Sequence, residues 1–99
     1  MEIRREHGVL EWERNSGRTY EMRNIDVEPA YWRQGIGRSL MQEFEAIVRS
    51  AGGLSIYGFT AGDNDRAQAF YRAIGYALIL IPGLYGIGLD GYLFHKAIA

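Results

Sequence analysis

Gly35 and Gly37 bracket Ile36, and Arg33 and Arg38 stand on either side of them. Residue types in this order suit the capture of an anion. Glycines let the backbone turn tightly and leave amide N–H groups uncovered by side chains. The first amides of a helix lack internal partners, and the helix dipole adds partial positive charge to them. Two guanidinium groups beside such a turn favour a phosphate or pyrophosphate. The loop alone is equally compatible with a tight strand-to-helix turn that binds nothing. It matches neither common nucleotide motif. Leu40 occupies the place of the third glycine in the dinucleotide fingerprint, and no Gly-Lys-Ser/Thr is present for a triphosphate loop.

The surrounding elements are readable from period and punctuation. Pro29 cannot donate to a sheet ladder, so the strand before the loop ends near it. Glu2–His7 reads as a short edge strand and Val9–Glu13 as a second. The turn signal Asn15-Ser-Gly17 joins Val9–Glu13 to Thr19–Val27 as a hairpin. Strict alternation in Thr19–Val27 places Tyr20, Met22 and Asn24 on one face and Glu21, Arg23 and Ile25 on the other. From Arg38 the period becomes helical, with Leu40, Met41, Phe44, Ile47 and Val48 forming an apolar stripe that ends at Gly52-Gly53. Leu54–Phe59 reads as a buried strand. Strand, helix, strand of this length implies a parallel pair with a right-handed crossover. Asp63 or Asn64 can cap a second helix, Asp65–Ile74, which Gly75 stops. Tyr76–Ile81 is an apolar strand, Pro82–Asp90 a glycine-rich apolar loop, and Gly91–Ile98 a last strand antiparallel to Tyr76–Ile81. The expected fold is α+β (α/β): a mixed, mostly antiparallel sheet, a central parallel crossover and two helices.

Composition narrows the class. Ninety-nine residues suggest one domain, 1–99, with 47% hydrophobic and 23% charged residues. A formal net charge of −1 gives no field that favours nucleic acid or an anionic membrane. No cysteine is present, which removes disulfides and thiol nucleophiles and fits a reducing cytoplasm, the expected location. The start, Met1–Glu6, has no apolar signal region, and no run approaches the ~20 apolar residues of a membrane span. His7 and His95 have no paired ligands nearby in sequence, so no metal site is expected.

Two stretches carry a family resemblance. Ile25–Leu40 resembles the acetyl-CoA motif of the GCN5-related N-acetyltransferase (GNAT) family, Gln/Arg-x-x-Gly-x-Gly/Ala after a strand ending in Val-x-Pro. Val27-Glu28-Pro29 and Gly35-Ile36-Gly37 supply these features; Trp32 stands at the pattern's first position, with Arg33 one residue later. Asn64, Ala67, Tyr71 and Gly75-Tyr76 match the family's second pattern, Asn-x-x-Ala-x-x-x-Tyr followed by Gly-Phe/Tyr. The resemblance covers about residues 19–98. It implies acetyl transfer from acetyl-CoA to a primary amine by direct attack in a ternary complex.

It also implies roles. The segment Arg33, Gln34, Gly35, Ile36, Gly37, Arg38 and Ser39 would hold the pyrophosphate. Ile25 and Val27 would pair with the pantetheine arm, and the Val27 N–H would polarise the thioester. Asn64 would contact the arm or position the second helix. Tyr71 would be the acid toward the departing thiolate. Glu21 would take the amine proton, or else be an ordinary exposed strand carboxylate. Typical relatives begin with a strand and two helices that build the acceptor side, so this chain reads as N-terminally short. A homodimer through Trp12, Leu84, Tyr85, Ile87 and Leu89 could complete that side. A non-catalytic acyl-CoA-binding module and a small interaction domain with a structural glycine loop remain open alternatives.

Overall fold

A computed structural model describes all residues, 1–99. In chain order it contains strands β1 (Glu2–Arg5), β2 (Gly8–Arg14) and β3 (Thr19–Val27), a short 3₁₀ turn Pro29–Tyr31, helix α1 (Ile36–Ser50), strand β4 (Ser55–Ala61), helix α2 (Asp65–Ala73), and strands β5 (Ala77–Ile81) and β6 (Gly91–Ala97). The strands form one mixed sheet, ordered β1-β2-β3-β4-β6-β5, mostly antiparallel with one parallel pair. The α+β architecture expected from the sequence is the one observed. No helix is long and apolar enough to cross a membrane. The chain divides into two compact units, Met1–Ile56 with Ala97–Ala99, and Tyr57–Lys96.

In the first unit α1 buries Leu40, Met41, Phe44 and Val48, the stripe its sequence spacing demands. Ile47 lies at the margin of that stripe and is half-buried. Ile3, Leu10, Tyr20 and Met22 from the strands are also buried. Trp12, half-buried, packs its ring against Tyr20 and Phe44, at 5.7 and 5.6 Å between centroids, so part of it contributes to this core. Gly53 is where the chain leaves α1 and passes under the same core. A Cβ there would stand 2.5 Å from Val48 Cγ1 and 2.7 Å from Tyr20 Cε1, and both neighbours are buried. Gly53→Ala is therefore expected to destabilise the fold by about 1–3 kcal/mol, the usual cost of overpacking, read as a lower thermal midpoint.

The β2–β3 register corrects the simple alternation expected of Thr19–Val27. Glu11 pairs with Asn24, but Trp12 pairs with Met22, leaving Arg23 without a partner position. Arg23 is a β-bulge, and one extra residue exchanges the faces beyond it. Tyr20 and Met22 share the core side with Ile25, which lies opposite Leu10; Asn24 and Asp26 turn outward. Sequence period alone cannot reveal a bulge, because the flip follows from pairing and not from composition.

The second unit is built on aromatic packing. Tyr71 from α2 stacks on Phe94 of β6, with centroids 3.8 Å apart and planes 9° from parallel. Tyr76 meets both rings edge-on. Gln68 is buried, and its amide nitrogen, Nε2, donates to the carbonyls of Ala61 and Gly62 at 3.2 and 3.0 Å. That tie fixes the turn between β4 and α2. β4 is not the uniformly buried strand its composition suggests: Ile56 is fully buried while Phe59 is exposed, the two-residue period of a strand with unlike faces. β5 pairs with β6 from Ala77↔His95 to Ile81↔Gly91 and is one of the two edge strands of the sheet. The loop after it is held by Asp90, whose Oδ1 accepts the Gly83 N–H at 2.9 Å. Tyr85, Ile87 and Leu89 on that loop are exposed, and Leu84 is half-buried.

A candidate anion cradle and a buried phenol

The first unit carries the glycine loop. Strand β3 ends at Val27, and its partner across the ladder is Gly8. The 3₁₀ turn Pro29–Tyr31 then redirects the chain, as proline at the first position favours. Trp32, the departure from the family pattern, has a use of its own: its Nε1 donates to the Val27 carbonyl at 2.6 Å. The loop is thereby tied to the strand end. Arg33 and Gly35 both adopt left-handed backbone, at φ 65° and 83°. Arg33 is the only non-glycine residue with positive φ. Left-handed residues at alternate positions turn successive amides toward one side of the chain, the arrangement of an anion-binding nest.

Gly35 is the N-cap of α1, and no side chain caps that helix. The Ser39 N–H already donates to the Gly35 carbonyl at 2.9 Å, so the helix proper begins there. The amides of Ile36, Gly37 and Arg38 precede that first helical bond. No acidic residue stands in the first turn; Arg38 does. A cation at the positive end of a helix opposes the dipole by roughly 0.3–1 kcal/mol, a cost that a bound anion reverses. Helix α2 is the internal contrast. Its cap, Asn64, accepts the Ala67 N–H through Oδ1 at 3.0 Å, and Asp65 lies in its first turn. α2 is closed by its own side chains, and α1 is open.

The remaining residues expected at the site fall as follows. Gln34 is exposed. The Ser39 hydroxyl accepts from Arg5 Nη2 at 3.4 Å, while Arg5 also bridges to Glu43 at 2.7 Å. Ser39 is thus engaged by the β1–α1 contact through its side chain and by the helix through its amide. Ile25 and Val27 are half-buried at the end of β3. Glu21 accepts from Asn15 Nδ2 at 3.4 Å and lies 3.7 Å from Arg23 Nη1, which also holds Glu13 at 3.0 Å. The bulged Arg23 therefore stands between two carboxylates that face each other across the ladder. Asn64 caps α2 through its side chain.

Tyr71 lies in the second unit. It is 4% exposed, and burial raises its phenol above the ordinary value. The hydroxyl consequently stays protonated throughout the physiological range and keeps a proton to donate there. No group of three His, Cys, Asp or Glu side chains lies close enough to hold a metal ion.

Sequence reasoning missed three residues that shape these features. Gln68 is a polar residue on an apolar helix face, and only the carbonyls it meets explain it. Asn15 reads as turn chemistry, yet it also holds Glu21. His7 reads in sequence as an isolated strand histidine, but its place opposite Glu28 follows from the hairpin register, in which Gly8 faces Val27.

A profile of the Acetyltransferase (GNAT) family matches residues 5–76. The chain belongs to this family. It is 44% identical over 79 residues to the N-alpha-acetyltransferase RimI of Mycobacterium tuberculosis, a match covering 78% of this chain and 48% of that protein. An uncharacterized Mycobacterium leprae protein is 39% identical over 79 residues, covering 78% of this chain and 21% of the relative. The chain thus spans about half or less of the curated relatives it matches. Among solved structures, a GNAT-family structure from Desulfovibrio desulfuricans superposes with a TM-score of 0.88 at 24% identity, over 94% of this chain and 62% of that one. An aminoglycoside 6'-N-acetyltransferase complexed with coenzyme A superposes with a TM-score of 0.83 at 20% identity, over 94% and 67%.

Proposed function

We infer that this chain takes part in acetyl transfer from acetyl-CoA to a primary amine, and that the acceptor is the α-amine of a peptide or protein N-terminus. The observation that carries the reading is the open N-terminus of α1, where left-handed Arg33 and Gly35 precede three amides and two guanidinium groups flank them. A pyrophosphate meets those requirements: it accepts several N–H bonds at once and offsets the charge that Arg38 adds to the helix end. The coenzyme A complex of one structural neighbour supports coenzyme A as the carrier of that pyrophosphate.

The reaction needs little from the protein beyond positioning. The amine lone pair attacks the thioester carbonyl carbon; the C–N bond forms and the C–S bond breaks. The Val27 N–H serves the carbonyl oxygen as charge develops on it. The sulfur leaves as a thiolate and accepts a hydrogen bond or proton from Tyr71, whose burial keeps the phenol neutral. The amine proton departs to water or to Glu21.

Two arguments favour an α-amine. The relative with 44% identity is an N-alpha-acetyltransferase. An α-amine has a pKa near ~7.7–8.0 and is roughly a tenth to a sixth neutral at pH 7, whereas a lysine at ~10.4 is neutral in only about one molecule in 2,500. The weaker demand falls on the α-amine.

The test is incubation with acetyl-CoA and short peptides with free N-termini, followed by thiol release and by the mass of the peptide. Acetylation at the α-amine, with a rate that rises as pH passes the amine pKa, is the expected result. Binding of coenzyme A without any transfer would identify the chain as an acyl-CoA-binding module instead.

A further inference from the structure

We propose that His7 is a positioning residue for the anion cradle: from the β1–β2 turn it clamps the segment Glu28–Tyr31 and so presets the backbone of Arg33 and Gly35. The proposal rests on the reading of that loop as the pyrophosphate site.

Three contacts converge on His7. Its Nδ1 lies 2.9 Å from Glu28 Oε2. A carboxylate only accepts, so Nδ1 carries the hydrogen in this bond. Its backbone carbonyl accepts the Glu28 N–H at 3.0 Å, which carries the β2–β3 ladder one step past Val27. Its ring lies flat on Tyr31, with centroids 3.5 Å apart and planes 7° from parallel. Glu6 Oε1 is the other charged group near the ring, 3.8 Å from Nε2. His7 therefore grips both ends of the 3₁₀ turn. The turn is closed within itself by the Tyr31 N–H to Glu28 carbonyl bond at 2.8 Å, and Trp32 is tied back to Val27.

What this clamp accomplishes follows from the next residues. Arg33 stands two residues beyond Tyr31 in left-handed backbone, a state that a β-carbon disfavours. A residue stays in such a state when its surroundings fix the chain on both sides. α1 fixes the C-terminal side. The N-terminal side is fixed by Glu28, Tyr31 and Trp32, and two of these are held by His7. A cradle already bent before the ligand arrives binds more tightly than one that must be ordered by it. His7 is placed in contact with the turn and not with the reacting groups, so its loss should weaken cofactor binding and leave the chemical step alone.

The experiment compares the wild-type chain with His7→Ala in three measurements: acetyl-CoA affinity by titration, KM and kcat with a peptide acceptor, and trypsin cleavage after Arg33 relative to cleavage after Arg18. Arg18 lies in the β2–β3 turn, held by Gly52, and serves as the control. The expected result is an approximately tenfold rise in Kd and KM for acetyl-CoA, kcat within about twofold, and about tenfold faster cleavage after Arg33 alone. Unchanged affinity in His7→Ala, with a wild type that binds, overturns the proposal and leaves the functional reading standing. Faster cleavage at both arginines together with a lowered thermal midpoint also overturns it, because the role is then only structural. A wild type that binds no acetyl-CoA defeats the functional reading; selective cleavage after Arg33 then still supports the clamp, and its absence overturns that too. Should His7→Ala not fold, His7→Phe keeps a ring over Tyr31 and removes only the bond to Glu28. It is expected to show the same pattern with a smaller amplitude, and no change in affinity or cleavage overturns the proposal.

Discussion

Tyr71→Phe is expected to lower turnover by about 10²–10⁴-fold, the range that general acid groups contribute, while acetyl-CoA binds within about twofold of wild type. The substitution removes one oxygen from a ring that stacks on Phe94 at 3.8 Å and meets Tyr76 edge-on. Phenylalanine keeps the shape and the stacking, so the second unit should keep its core. What is lost is the only group in the proposed mechanism that can donate to the leaving sulfur. Burial raises the Tyr71 phenol, so the hydroxyl remains protonated well beyond neutral pH. The rise of rate with pH is therefore set by deprotonation of the acceptor amine, and Tyr71→Phe should lower the curve without moving its midpoint. Equal losses of affinity and turnover would contradict the acid role, since a purely leaving-group contact is made late in the reaction.

Gly35→Asp is the second large effect, and it separates an anion cradle from a mere turn. At φ 83° Gly35 occupies backbone that most side chains resist, but aspartate is among the residues that tolerate it. A Cβ at this position has nothing within 4 Å. Aspartate is also a strong helix cap, and its carboxylate can accept the amides that Gly35 leaves open. Strain and capping offset each other, so the thermal midpoint should move little. The new carboxylate occupies the place proposed for pyrophosphate and repels it. Loss of two charge-assisted hydrogen bonds, at ~1.5–3 kcal/mol each, predicts at least a ~100-fold fall in coenzyme A affinity. Gly35→Asn has nearly the same shape without the charge and should lose much less. If Gly35→Asp folds and binds coenzyme A normally, the glycine is only a turn residue.

The sequence announced most of the architecture, for identifiable reasons. The stripe Leu40, Met41, Phe44, Val48 is long and strongly periodic, and α1 buries those four residues. Gly75 and the capping residue Asn64 bound α2 to within about one residue of its observed limits. The two motifs that marked the family lie on these same well-punctuated elements. What stayed hidden depends on pairing across the chain. The bulge at Arg23 comes from register and reverses the faces of half of β3. The exposure of Phe59, Ile79 and Leu80 depends on which strand lies at an edge and which face is covered, and apolar composition does not encode that. The links of His7 to Glu28 and Tyr31 join residues 21 or more positions apart. Trp32 looked like a defect in a motif, and its indole bond to Val27 shows how the loop accommodates it.

The most direct measurement is calorimetric titration of the purified chain with acetyl-CoA and, separately, with coenzyme A lacking the acetyl group. The central claim is that the open N-terminus of α1, with Arg33 and Arg38 beside it, binds pyrophosphate. It predicts micromolar binding of both ligands with similar affinity, because the acetyl group lies far along the molecule from the pyrophosphate. It predicts further that the affinity falls as salt is raised, as charge-dominated contacts do. A folded chain that binds neither ligand would contradict the claim, and with it the proposal that this chain transfers acetyl groups.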